Sequence, residues 1–178
     1  MLGLEPHVFT GGDRAPIVFV DNVDAYEMVR TALQRFIRKG GTAVFLEQEP
    51  RAVWHFENGD VSVKGMRGKE FVSRKTGHSL VASFQPFDFS NWYDRGKDYI
   101  EYVAASYLEG SKLIPILLTA EAARPGDPDP KRKTMPVVGE LRLGKGSLIV
   151  TQLEATDRVE YEPVAAAYYQ SMVDRAVR

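Results

Sequence analysis

Apolar residues along this chain fall in runs whose period changes several times. Pro16-Ile17-Val18-Phe19-Val20 is a short β-branched run ending at Asp21-Asn22, and it reads as a strand buried on both faces. A helix is predicted from Asp24, which can cap the first turn. Glu27 follows three residues on as in a capping box, and Val23 and Met28 occupy the hydrophobic-staple positions. Ala25, Val29, Ala32, Leu33, Phe36 and Ile37 then recur at helical spacing as one apolar face. Arg35 and Arg38 gather at the end where the helix dipole favours cations, and Gly40-Gly41 stops the helix by accepting left-handed backbone. Thr42 to Leu46 is a second buried strand, ending in Glu47-Gln48-Glu49-Pro50. Strand, helix and strand together predict a parallel crossover.

The middle of the chain is less regular. Val53–Phe56 and Val61–Val63 flank Asn58-Gly59, but the spacing is too loose to define a hairpin. Gly65, Gly68, Gly77 and Pro86, with many aromatic residues up to Tyr93, suggest a long ordered excursion. Tyr99 to Leu108 fits a helical face and a strand equally well. Leu113 to Leu118 is apolar, and Pro115 within it calls for a sheet edge or a bulge. Four prolines among charged residues predict a mobile surface loop over 121–136. Val137–Leu143 and Ser147–Leu153, joined by Gly144-Lys145-Gly146, form a hairpin. Pro163 opens a last helix whose stripe is Ala165, Tyr168, Tyr169, Met172, Val173 and Ala176. The whole is expected to be one α/β domain, 1–178.

Composition narrows the functions this pattern can carry. Lys and Arg number 23 against 24 Asp and Glu, a formal net charge of −1, so no basic field gathers nucleic acid or anionic lipid. There is no cysteine, which removes disulfides, thiolate metal sites and a cysteine nucleophile. The three histidines, His7, His55 and His78, are too far apart for a local metal motif, and neither a metal nor a cofactor is expected. The N-terminus lacks the basic start and apolar core of a signal peptide, and no apolar run approaches the ~20 residues of a membrane helix. Together these point to a cytoplasmic protein.

Two groups of residues have the right chemistry for a site. In an open parallel sheet ligands lie beyond the carboxyl ends of the strands, where Asp21 and Glu47 fall here. Two carboxylates there could act as acid and base or hold a hard metal ion; the competing reading is that Asp21 orders its loop and Glu47 is solvated. Asp88, Asn91, Trp92 and Tyr93 combine flat rings with polar groups, as sugar sites do; alternatively the rings cover a sheet edge. His78 has no recognisable motif tying it to a serine or an acid, Ser79 and Ser83 are not flanked as in a nucleophile elbow, and Gly144-Lys145-Gly146 lacks the rest of a P-loop.

Three stretches taken in order carry a resemblance: Pro16 to Gln48; His78-Ser79-Leu80 followed by Asp88-Phe89-Ser90-Asn91-Trp92; and Gly144 to Leu153 with Arg158 and Pro163-Val164-Ala165 behind it. This combination resembles the class I glutamine-amidotransferase-like domain found toward the C-terminus of β-galactosidase-type glycoside hydrolases. The resemblance implies a flavodoxin-like, mostly parallel sheet flanked by helices, with an added antiparallel hairpin. It also implies a non-catalytic role, since amidotransferases need a nucleophilic cysteine. The implied partner is a glycoside hydrolase, as a larger parent polypeptide or a separate subunit beside which the domain serves packing and assembly. A flavodoxin-like domain has a further strand and helix before the position of Pro16, so that layer is expected to be trimmed or supplied from outside. Two other readings stay open: a small stand-alone hydrolase using Asp21 and Glu47, and a sugar-binding domain centred on Trp92 and Tyr93.

Overall fold

The computed structural model describes residues 7–11, 15–120 and 134–177. Strand β1 (Ile17–Val20) runs into helix α1 (Val23–Arg38) and returns as β2 (Thr42–Phe45), pairing in parallel with β1 from Ile17↔Thr42 to Val20↔Phe45. The predicted crossover is present. β1 is the outer strand, however, and alternates between half-buried and buried, whereas β2 is buried throughout.

The helix is capped two residues earlier than predicted. Asn22, in extended backbone, is the N-cap, and its Oδ1 accepts from the Ala25 N–H at 3.0 Å; Asp24 lies inside the first turn. Met28 is exposed, so the predicted staple does not form. The buried face is Tyr26, Leu33, Gln34 and Ile37, which leaves Ala25 in solvent. Tyr26 and Gln34 enter that face because they satisfy each other. Gln34 Nε2 donates to the phenol oxygen at 2.8 Å, and the phenol donates to the His55 carbonyl at 2.6 Å. Burial pushes the Tyr26 phenol up to about 12, with the Gln34 hydrogen bond acting against it.

The chain continues as β3 (Val53–Phe56), β4 (Gly59–Glu70), β5 (Arg74–Lys75), two 3₁₀ turns (Ser79–Val81 and Pro86–Phe89), β6 (Asn91–Asp94), β7 (Tyr99–Tyr102), β8 (Ala104–Glu109) and β9 (Ile114–Ala120). β10 (Thr134–Leu143), β11 (Gly146–Thr151), a 3₁₀ turn (Thr156–Arg158) and α2 (Pro163–Val177) complete it. Asn58-Gly59 does close a hairpin, with Phe56 opposite Gly59 and φ of 121° at the glycine. The ambiguous 99–108 segment is two strands. Thr134 to Pro136 belong to β10 rather than to a loop, and 121–133 lie outside the described residues.

The main sheet has the order β1-β2-β11-β10-β9-β5. Only β1·β2 and β2·β11 are parallel; β11·β10, β10·β9 and β9·β5 are antiparallel. The expectation of a mostly parallel sheet is therefore corrected to a mixed, strand-rich one. The hairpin is not appended to an edge. Its strand β11 pairs with β2 at the centre, and the short Gly144-Lys145 link forces β10 to run back antiparallel. Pro115 sits beside the bulge between β9 and β10.

Period-two alternation along the main sheet feeds two cores. Phe45, Leu148 and Val150 face α1 and a second, antiparallel sheet β3-β4-β8, packing with Trp54, Phe56, Val61, Val63 and Leu108. Val44 and Ile149 face the other way, toward α2 and the 3₁₀ turns, packing with Leu80, Phe84, Phe89, Trp92, Tyr168 and Met172. The β10–β11 turn docks under the end of α1. Lys145 N–H donates to the Arg38 carbonyl at 3.0 Å, and a Cβ on Gly146 would stand 2.2 Å from the Ile37 and Gly41 carbonyl oxygens.

Candidate functional site

The carboxyl ends of β2 and β11 are neighbours, and the chain leaving each builds the crest of the sheet. After β11 the residues Gln152 to Arg158 turn over that crest, placing Arg158 (4% exposed) beneath the β6–β7 hairpin. Its Nη2 meets Glu101 Oε1 at 2.7 Å and Asp94 Oδ2 at 3.0 Å, and its Nη1 donates to the Glu154 carbonyl. Glu101 also holds Lys69 at 2.6 Å and Lys97 at 2.9 Å, and accepts from the Tyr99 hydroxyl at 3.2 Å. Lys69 bridges onward to the Glu154 carboxylate.

Three cations and three carboxylates thus form one neutral network. Its charges set its proton affinities. Desolvation opposes ionisation of Glu101, but Lys69 and Lys97 outweigh it and hold the carboxyl below its usual range. Desolvation acts against Asp94 in the same way, and its hydrogen bonding with Glu101 and Lys97 holds it down to about 2. Lys97 is raised in turn, chiefly by Glu101.

A cleft of about 690 Å³ opens beside this network, walled by Glu47, Asp94, Lys97, Asp157, Arg158 and Tyr161 among others. Glu47, predicted from sequence, lies in it; Asp21 is exposed and is not part of its lining. The two loops are tied through main chain, since Gln48 Nε2 donates to the Asp21 and Glu47 carbonyls at 2.7 Å each. The carboxylates themselves part company. Glu47 turns inward, accepts from the Thr156 N–H at 3.2 Å, and is raised above the usual range by burial, with the Thr156 bonds acting the other way.

The aromatic segment is divided between core and surface. Trp92 is 2% exposed, and its indole donates to the Asp88 carbonyl at 2.7 Å. The Asp88 carboxylate caps a 3₁₀ turn by accepting from Gln85 N–H at 2.8 Å. Asn91 and Tyr93 are at the surface, with the Tyr93 hydroxyl on Asp98 at 2.6 Å and its ring edge-on to Tyr161. The structure therefore does not gather the four into one ligand face.

His78 joins a separate cluster. Its Nδ1 accepts from the Leu80 N–H at 3.2 Å, so the ring proton sits on Nε2 and faces Glu140 Oε2 at 2.9 Å. Glu140, 1% exposed, is also held by Arg175 at 2.7 Å, and Arg175 in turn donates to Ser79 Oγ. Burial acts against the Glu140 anion, but His78, Arg175 and Arg142 hold its carboxyl below the usual range. This locks α2 onto the sheet; Ser79 is turned to the arginine and not to the imidazole. Among the described residues no group of histidines and acids is arranged to hold a metal, and no helix is long and apolar enough to cross a membrane.

Sequence reasoning passed over Lys69, Glu101 and Gln152. Glu101 left a trace, a charge between Ile100 and Tyr102 in an apolar segment. Its partners Lys69 and Arg158 lie 32 and 57 residues away, and no local pattern joins them to it.

No family model matches the chain, and no curated protein matches it. Solved structures do. A cold-adapted β-galactosidase from Rahnella sp. R3 is similar over 90% of this chain at 13% identity, with a TM-score of 0.52. A cytoplasmic protein from Salmonella typhimurium is similar over 98% at 10% identity, also with a TM-score of 0.52. A β-galactosidase from Bacillus circulans aligns over 90% at 11% identity, with a TM-score of 0.46. What this chain shares with the Rahnella and Salmonella proteins is the fold. This chain spans 22% of the length of the Rahnella β-galactosidase and 76% of the Salmonella protein. The fold therefore occurs as one part of a much longer glycoside hydrolase, which is where the resemblance in sequence pointed.

Proposed function

We propose that this chain is a non-catalytic, amidotransferase-like module associated with a glycoside hydrolase, serving packing and subunit assembly. The observation that carries this reading is the fold likeness to 22% of a β-galactosidase chain, which leaves the larger part of that chain for other work. The crest supports it. The carboxylates Asp94, Glu101 and Glu154 are spent on Arg158, Lys69 and Lys97, and the chain has no thiol to act as an amidotransferase nucleophile. The experiment is capture of the tagged chain from its source lysate, with mass spectrometry and light scattering on what is retained. A stoichiometric complex containing a polypeptide with β-galactosidase or related glycosidase activity supports the module. A clean monomer that retains no glycosidase sinks it.

A second reading rests on a different observation. Glu47, raised, and Asp94, held at about 2, line the same cleft, and carboxyls pushed apart in proton affinity are what acid–base catalysis uses. A stand-alone hydrolase of this kind loses all turnover of aryl glycosides in Glu47→Gln while keeping its fold. Absence of turnover in the parent chain removes this reading.

A further inference from the structure

Three buried polar atoms at the crest have no partner, Arg158 Nε, Gln152 Nε2 and Glu47 Oε2, and the last two complement each other. Gln152 is 1% exposed; its Oε1 accepts from the Gln48 N–H at 3.2 Å and from the Ser106 hydroxyl at 2.9 Å. A main-chain N–H can only donate, so the oxygen of this amide must face Gln48, which fixes the NH₂ on the other side. That Nε2 has no acceptor. One strand over, Glu47 uses Oε1 on Thr156, while its Oε2 is buried and accepts nothing. Buried polar groups are almost always satisfied, and an unmade bond costs more than a made one returns. Both residues line one cleft of about 350 Å³, together with Gln48, Pro50, Ala105 and Ser106.

The chemistry of the pair restricts what can fill it. The ligand group must accept from an amide N–H and sit against a carboxyl oxygen, as a hydroxyl does by accepting with its oxygen and donating with its proton. A metal ion or an ammonium group has no lone pair for Gln152. An anion would accept from Gln152, but it would face Glu47, Glu49 and Glu154 in the same lining. The volume lies at the low end of the roughly 300–1,000 Å³ of small-molecule sites, which suits a single sugar ring or a short polyol.

We propose that the crest cleft at the ends of β2 and β11 binds a neutral, polyhydroxylated small molecule of monosaccharide size, one hydroxyl bridging Gln152 Nε2 and Glu47 Oε2. The site stands on these contacts and not on the module reading, which capture from lysate tests separately. A failed titration would leave that reading as it is.

The test is calorimetric titration of the purified chain with D-galactose, D-mannose and glycerol, and with galactose 6-phosphate as the anionic counter-probe. Saturable millimolar binding of at least one neutral probe is expected, with the phosphorylated sugar weaker. Gln152→Glu keeps an oxygen for Gln48 and Ser106 but replaces the donor with a charge, and it should weaken binding by about tenfold or more. Ala105→Leu fills the cleft without touching either polar atom and should do the same, so the test holds even where Gln152→Glu does not fold. No saturable binding of any neutral probe, or equal affinity in the variants that fold, overturns the proposal and leaves the two atoms to water.

Discussion

Arg158 is the residue on which the crest turns. Its side chain is buried against Glu101 and Asp94, and removing one partner of a buried pair leaves the other charge in low dielectric. Arg158→Met is expected to cost about 3 kcal/mol in urea denaturation, since Lys69 and Lys97 compensate only part of the lost charge. Arg158→Met combined with Glu101→Met should cost less than Arg158→Met alone, and additive losses would show that the two are not coupled. Acid should expose the same network. Asp94, Glu101 and Glu140 hold protons less tightly folded than unfolded, so their contribution is present above the ordinary carboxylate range, near pH 4, and is lost as pH falls toward 2. Glu47 runs the opposite way. Its raised carboxyl contributes below the ordinary Glu value and loses that contribution as pH rises. Glu47→Gln should therefore gain on the parent between pH 4 and pH 7 in paired urea melts; a gain in the other direction would show that Glu47 is not raised.

At the scale of elements, α1 tests how local signals are resolved. Asn22 and Asp24 are both good capping residues, and the choice between them depends on where β1 releases the chain. Asn22→Ala should cost about 1 kcal/mol and Asp24→Ala a few tenths, measured by thermal or urea unfolding. The reverse order would return the cap to Asp24. The far end of α1 is gripped by the β10–β11 turn, where Gly146 touches main-chain oxygens that cannot move aside. Gly146→Ala is expected to cost about 3 kcal/mol or more, and a neutral result would mean that helix and turn separate readily. The elements with strong periodicity, α1, α2, β2 and β11, were legible because their burial is one-sided or complete. β4, β7 and β8 were not. β4 and β8 pair with each other across the intervening β5, β6 and β7, and Glu101 on β7 and Lys69 on β4 break the apolar pattern to form an ion pair that no local window contains.

At the scale of the molecule, one sheet separates two cores, and each core contains one of the two tryptophans. Trp54 reports on the face covered by α1 and the second sheet, and Trp92 on the face covered by α2. Single-tryptophan variants, Trp54→Phe and Trp92→Phe, allow each side to be followed by fluorescence. Because β2 and β11 send alternate residues to both cores, the two transitions should coincide in urea once corrected for the small cost of each substitution. Separated transitions would show that the faces unfold as independent units.

Period and composition determined by themselves that this chain has a β-α-β unit, a C-terminal hairpin and a closing amphipathic helix, with no thiol chemistry. Those features depend on neighbours within a few residues or on a residue's bare absence. Only the tertiary structure decided that the hairpin pairs beside β2, making the sheet mixed, and that Trp92 is core. It alone separated Glu47 from Asp21 and set Glu47 beside Gln152. Each of those outcomes depends on which distant segments meet, and burial, hydrogen bonding and proton affinity follow from that meeting.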